Sequence, residues 1–209
     1  MLTYLGKEDL QETFPVDEKV CSVTEYEKLL EGFEKELEVI DFNNLSPDGV
    51  INTLYFLFLK YLWCVPSAVY KDEPDISLFD HLKTTAAIAG CLYIYHQEYP
   101  NKLIDIESPA FLLVGGDISG IQAYIFDVLT QEGKVAKRLR ARSLFVQIIS
   151  EIATHRIIHK FGFPLCNIIS SAGGNFYVLL PNSQDAKEKL QELQAEFDKM
   201  KKKDFVGIA

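Results

Sequence analysis

From Val23 onward the apolar residues fall into two rhythms, helical steps of three and four and short unbroken runs, and these divide the chain into elements. Tyr26, Leu29, Leu30, Phe33 and Leu37 recur at helical spacing and predict a helix over 23–39 with Thr24 as N-cap. Ser46-Pro47-Asp48 starts a second helix, with Pro in the first turn where its missing N–H costs little, and Pro66 stops it after Trp63. Tyr55 to Leu59 make it apolar nearly all round, the pattern of a central bundle helix. A third helix, capped by Asp75 or Ser77, runs towards Tyr99 and carries small residues (Ala86, Ala87, Ala89, Gly90) suited to close packing. Residues 1–22 show weak periodicity and read as mostly irregular.

The second half changes character. Ala110–Gly116 is a charge-free run, as expected of a strand buried on both faces or nearly so. A glycine turn, a helix to about Thr130 and a long helix from about Leu139 to Phe161 follow. Two short apolar runs, 167–169 and 176–180, flank Ala172-Gly173-Gly174-Asn175 as a glycine-tipped hairpin. An amphipathic helix over 184–203 and a fourth strand at 205–208 complete the expectation. The fold class is therefore α+β: an N-terminal α-helical bundle over 1–104, then a ferredoxin-like palm (βααββαβ, antiparallel sheet) over 105–209.

Charge sharpens this division. The formal net charge is −9, and residues 1–50, with thirteen acids and four bases, carry all of it. The remainder is neutral, which excludes a generally basic nucleic-acid surface but leaves room for a local patch. Cys21, Cys64, Cys91 and Cys166 show no C-x-x-C spacing, so free thiols are expected and a zinc site built on them is not. Val50 to Trp63 is too short and too polar to span a bilayer, and the N-terminus does not read as a signal peptide. The chain reads as soluble and cytoplasmic, with no membrane partner.

The candidate chemistry lies in the second half. Asp117, at a strand end beside Ser119 and Gly120, can bind a divalent ion or a ribose, and the helix start after it can hold phosphate. The plainer alternative is that Asp117 only caps that helix. Lys134, Lys137, Arg138, Arg140 and Arg142 place five cations in nine residues, either a phosphate or RNA-backbone contact or a solvated loop. The tip offers Asn175 where two-metal phosphoryl transfer would need carboxylates. No second His or Cys lies at ligand spacing from His81, and His155 and His159 lack the glutamate of a zinc-protease motif. This half should bind a nucleotide or partner better than it catalyses.

Three segments together resemble a known family. Gly116-Asp117-Ile118-Ser119-Gly120-Ile121-Gln122, Leu139-Arg140-Ala141-Arg142-Ser143 and Ala172-Gly173-Gly174-Asn175-Phe176 are similar to the first palm of the Cas-ten large subunit of type III CRISPR effector complexes. Val65-Pro66-Ser67 and Asp75 to Ala87 resemble the end of that family's permuted HD domain, in its Csm (III-A) branch. The resemblance implies a crRNA-guided antiviral complex whose large subunit converts ATP, with Mg²⁺ or Mn²⁺, into cyclic oligoadenylate between two palms. It also implies a metal-dependent HD nuclease acting on single-stranded DNA. Implied partners are the small subunit, the subunit binding the crRNA handle, crRNA and target RNA. Carried over by motif, Gly116 to Gly120, Gln122, Arg142, Ser143, Gly173, Gly174 and Asn175 would face nucleotide, and His81 would be an HD metal ligand. No His-Asp dipeptide, Gly-Gly-Asp-Asp, zinc insertion or second palm is present, so the chain resembles a middle piece, inactive by itself.

Overall fold

A computed structural model describes residues 22–68, 75–126 and 135–204, with side chains as far as Lys199. Residues 1–21, Lys134 and the expected fourth strand at 205–208 lie outside that description. The chain divides into two compact units, Met1–Thr85 and Ala86–Ala209.

The first unit contains α1 (Val23–Glu38), α2 (Pro47–Leu62) and the first turns of α3 (Leu78–Glu98). α1 starts at Val23 as its periodicity suggests, but its N-cap is Ser22, which forms a capping box with Glu25 and displaces Thr24 from that role. Leu29, Leu57 and Tyr61 are its buried core, and Gly32 lets Tyr61 lie close, since a Cβ there would stand 3.0 Å from the ring. Phe33 stacks on Phe58 with centroids 6.0 Å apart and meets Tyr61 edge-on at 5.9 Å. The Lys60 ammonium donates to the Glu36 carboxylate and holds that carboxyl below its usual range. α2 buries a stripe rather than its whole circumference, and Ile51 and Phe56 remain exposed. Ser77, whose hydroxyl accepts the Asp80 N–H at 3.0 Å, opens α3.

The second unit is a three-stranded antiparallel sheet with helices against it. β1 (Phe111–Asp117), β2 (Ile168–Ala172) and β3 (Asn175–Pro181) pair in the order β1-β3-β2, so β3 is central. α4 (Ile121–Phe126) and α5 (Val135–Phe161) connect β1 to β2, and α6 (Gln184–Asp204) follows β3. Val178 and Leu180 are fully buried with Ile157, Ile158, Phe176 and Leu193 around them. Burying an aliphatic side chain of this size contributes about 1.5–3 kcal/mol, so α5 and α6 are fixed on this face chiefly by apolar area. Arg156 to Glu196 (2.7 Å) and Lys160 to Glu192 (2.8 Å) join the two helices at the rim.

β1 differs from its expectation. Its residues alternate between exposed and half-buried, with Phe111, Leu113, Gly115 and Asp117 on the open side. Absence of charge marks a strand that tolerates burial; it does not show that both faces are covered within one unit.

Behind the sheet, Asn167 is fully buried. Its amide donates to the Leu179 carbonyl at 2.9 Å and to the Cys91 sulfur at 3.4 Å. Burial pushes the Cys91 thiol up to about 12, so it behaves as a packed hydrophobe. Cys64, Cys91 and Cys166 are free thiols.

Candidate functional site

The tip of the β2–β3 hairpin is set by two glycines. Gly173 and Gly174 have φ of 62° and 95°, the left-handed pair that a two-residue hairpin turn requires. A Cβ at Gly174 would lie 2.0 Å from Ile121 Cδ1, so a side chain there would have to displace that methyl group. In the β1–β3 register Asp117 stands directly opposite Asn175, Gly116 opposite Phe176 and Gly115 opposite Tyr177. The Ile118 N–H donates to the Gly174 carbonyl at 3.0 Å and carries the pairing one step past the strand. The sequence-distant segments 116–118 and 173–175 therefore form one continuous edge.

Directly opposite residues of an antiparallel pair share a face, with Cβ atoms about 4.5–5.5 Å apart. Asp117 and Asn175 are both exposed and lie on the open face with Gly115 and Tyr177. Gly116 points the other way, and a Cβ on it would meet the Phe176 ring at 2.0 Å. Its absent side chain is a packing requirement. Among the described residues no donor or cation reaches the Asp117 carboxylate, and it caps no helix. Ser119 is exposed in the following turn, Gly120 has φ of 81°, and Gln122 is exposed in the first turn of α4.

Arg142 is occupied differently. Its guanidinium donates to the Tyr124 carbonyl and lies 4.9 Å from the Tyr124 ring centroid, joining α5 to α4. Ser143 beside it is exposed. Lys137, Arg138 and Arg140 are exposed in the first two turns of α5, which begins at Val135 rather than Leu139, so the described part of the basic segment is helical and not a loop. Cations there oppose the helix dipole.

One residue of this site is absent from the sequence expectations. The Gln147 side chain accepts the Gly173 N–H at 3.3 Å, donates to the Ser171 carbonyl at 3.4 Å and to Glu151 at 2.8 Å, pinning the hairpin tip to α5. The available signal was a lone amide among Leu144, Phe145, Val146, Ile148 and Ile149.

His81 lies exposed in the first turn of α3, with its carbonyl accepting from the Thr84 and Thr85 hydroxyls. His155 is 3.9 Å from Glu151. Among the described residues no group of three His, Cys, Asp or Glu side chains could hold a metal, and no helix is long and apolar enough to cross a membrane.

Residues 110–208 match the profile of the Csm1 subunit domain B family. The single-strand-specific deoxyribonuclease Cas10/Csm1 (subtype III-A) of Methanocaldococcus jannaschii is 34% identical over 182 residues, covering 74% of this chain and 22% of that protein. Its Streptococcus thermophilus counterpart is 32% identical over 185 residues, covering 83% and 24%. The chain thus spans about a quarter of the length of the curated relatives it matches. Among solved structures, the Csm1–Csm4 cassette in complex with AMPPNP superposes with a TM-score of 0.73 at 28% identity, covering 97% of this chain and 27% of that one. T. onnurineus Csm1 gives 0.65 at 28% identity, covering 86% and 24%.

Proposed function

Because the chain belongs to the Cas10/Csm1 family of subtype III-A CRISPR systems and corresponds to about a quarter of it, we propose that it supplies the non-catalytic half of an ATP site. In the complete subunit that site makes cyclic oligoadenylate. The observation that carries this reading is a solvent-facing Asp117 set in register against Asn175, with no partner among the described residues. Csm1–Csm4 cassettes in complex with ATP, AMPPNP and cA4 support the ligand class.

The residues present fit part of such a site. Asp117 would hold Mg²⁺ or Mn²⁺ on the nucleotide phosphates, and the ion would supply charge neutralisation there. Phosphoryl transfer with two ions needs several carboxylates, and the tip contributes an amide instead. The edge 116–118 and 173–175 therefore binds and orients nucleotide, while Gln147 keeps the tip in place. His81 is one imidazole without the further ligands of an HD centre, so by itself it does not fit a metal. In the complete subunit it would be one ligand of a centre acting on single-stranded DNA. The cytoplasmic partners of this reading are the small subunit, the subunit that binds the crRNA handle, crRNA and target RNA.

Asp117→Ala and Ser119→Ala in the complete subunit should abolish oligoadenylate synthesis while assembly of the complex is unchanged. Retained synthesis would rule the nucleotide role out. A second reading rests on the helical cations Lys137, Arg138 and Arg140, with Lys134 before them: a docking module that contacts RNA phosphates and has no part in nucleotide binding.

A further inference from the structure

Tyr177 is the one large aromatic of β3 whose ring lies on the open side. It is 47% exposed and opposite Gly115, and among the described residues its hydroxyl has no hydrogen-bond partner. The ring runs across the glycine rather than away from the sheet, because a Cβ built on Gly115 would stand 3.1 Å from Tyr177 Cε1 and 3.4 Å from Cδ1. Any other residue at 115 would have to move it. The same face carries Asp117 and Asn175 two positions along each strand, about 7 Å away at the ordinary rise of a β-strand. That separation leaves room for a ribose between a group on the ring and a group at the acid.

An aromatic ring lying on an open sheet face next to polar side chains is how several nucleic-acid-binding sheets receive a base, because every base offers a π-face. We infer that Tyr177 is the platform on which the purine base of the bound nucleotide stacks, with Gly115 letting the ring lie across the sheet and Asp117 on the side of the phosphates, where it would hold a divalent ion that neutralises their charge. This rests on the ATP-site reading and adds to it where the base goes and which residue favours adenine over a smaller pyrimidine. Leu113, exposed on the same face one pair further along, would border the base on its far side.

The test uses the complete subunit assembled with its partners and measures binding of AMPPNP, of the corresponding cytidine analogue and of inorganic tripolyphosphate by calorimetry. Tyr177→Leu keeps an apolar side chain but removes the π-face. It should weaken AMPPNP on the order of tenfold or more, narrow the preference over the cytidine analogue and leave tripolyphosphate unchanged. Tyr177→Phe and Tyr177→Trp should bind AMPPNP as the parent does. Gly115→Ala, which displaces the ring without deleting it, should weaken AMPPNP by a smaller factor. The inference is overturned if Tyr177→Leu binds AMPPNP like the parent, if tripolyphosphate weakens equally, or if the leucine variant loses its partners and the face proves to be a protein contact. Asp117→Ala separates the two levels: if it leaves both AMPPNP and tripolyphosphate unaffected, the site reading fails, whatever Tyr177 does.

Discussion

At the scale of single residues, the site depends on a side chain that lies far from the glycine motifs in sequence. Gln147 makes three hydrogen bonds, two of them to the hairpin backbone, and the Gly173 N–H has no strand partner to replace it. Gln147→Leu keeps the volume and removes all three. Each neutral hydrogen bond contributes about 1 kcal/mol, so a loss of roughly 1–2 kcal/mol is expected, confined to the tip. Amide exchange at Gly173 should quicken while exchange in α5 stays near the parent, and in the complete subunit oligoadenylate synthesis should fall. Unchanged Gly173 exchange would remove Gln147 from the site. Such a contact is not legible in sequence, because the two residues are 26 positions apart and a single amide in a helix has no periodic signature. Arg142 shows the same limit: motif and charge singled it out, but neither could show that the Tyr124 ring and carbonyl hold its guanidinium. The place of Asp117 at a strand end was legible, since it closes an apolar run and precedes a glycine turn.

Among elements, the hairpin was the clearest feature of the sequence. Gly-Gly between two apolar runs predicts a two-residue turn on conformational grounds alone, and the positive φ angles agree. What the pattern did not reveal is that a Cβ at Gly174 or Gly116 would also meet a side chain, Ile121 in the first case and Phe176 in the second. Their consequences differ. Gly174→Ala combines an unfavourable φ with a Cβ 2.0 Å from a flexible Ile121 terminus, whereas Gly116→Ala drives into an aromatic ring already packed against the core. Overpacking costs typically about 1–3 kcal/mol and strain at positive φ adds to it. Both variants should unfold at lower denaturant, and Gly116→Ala should do so without altering the turn, which chemical shifts of 173 and 174 would check. Helix limits were less legible. Ser22 overtook Thr24 through a reciprocal bond with Glu25, and α5 reached back to Val135 through a basic stretch that propensity permits but charge reads as loop.

Taken whole, the chain has an electrostatic asymmetry on which the second functional reading rests. Residues 1–50 hold the entire net charge of −9, while in the second half three exposed cations, Lys137, Arg138 and Arg140, sit in the first turns of α5, where they oppose the helix dipole. Under that reading, the anion that offsets this charge is RNA. The number of phosphates engaged is measurable, because each neutralised phosphate of a single strand lowers the slope of log affinity against log salt by about 0.7. If Lys137, Arg138 and Arg140 each contact RNA, replacing all three by Gln in the complete subunit should reduce that slope by about 2 and weaken RNA-dependent assembly at low salt. AMPPNP affinity of the assembled complex should stay as in the parent, because these side chains sit on α5 and not on the 116–118 and 173–175 edge. A slope unchanged by the triple substitution would assign the cluster to solvent. A fall in nucleotide affinity instead would place the triphosphate, not RNA, against α5. If the proposed nucleotide role of Asp117 holds, the same experiment with Asp117→Ala should give the opposite result, an altered nucleotide affinity with the parental salt slope.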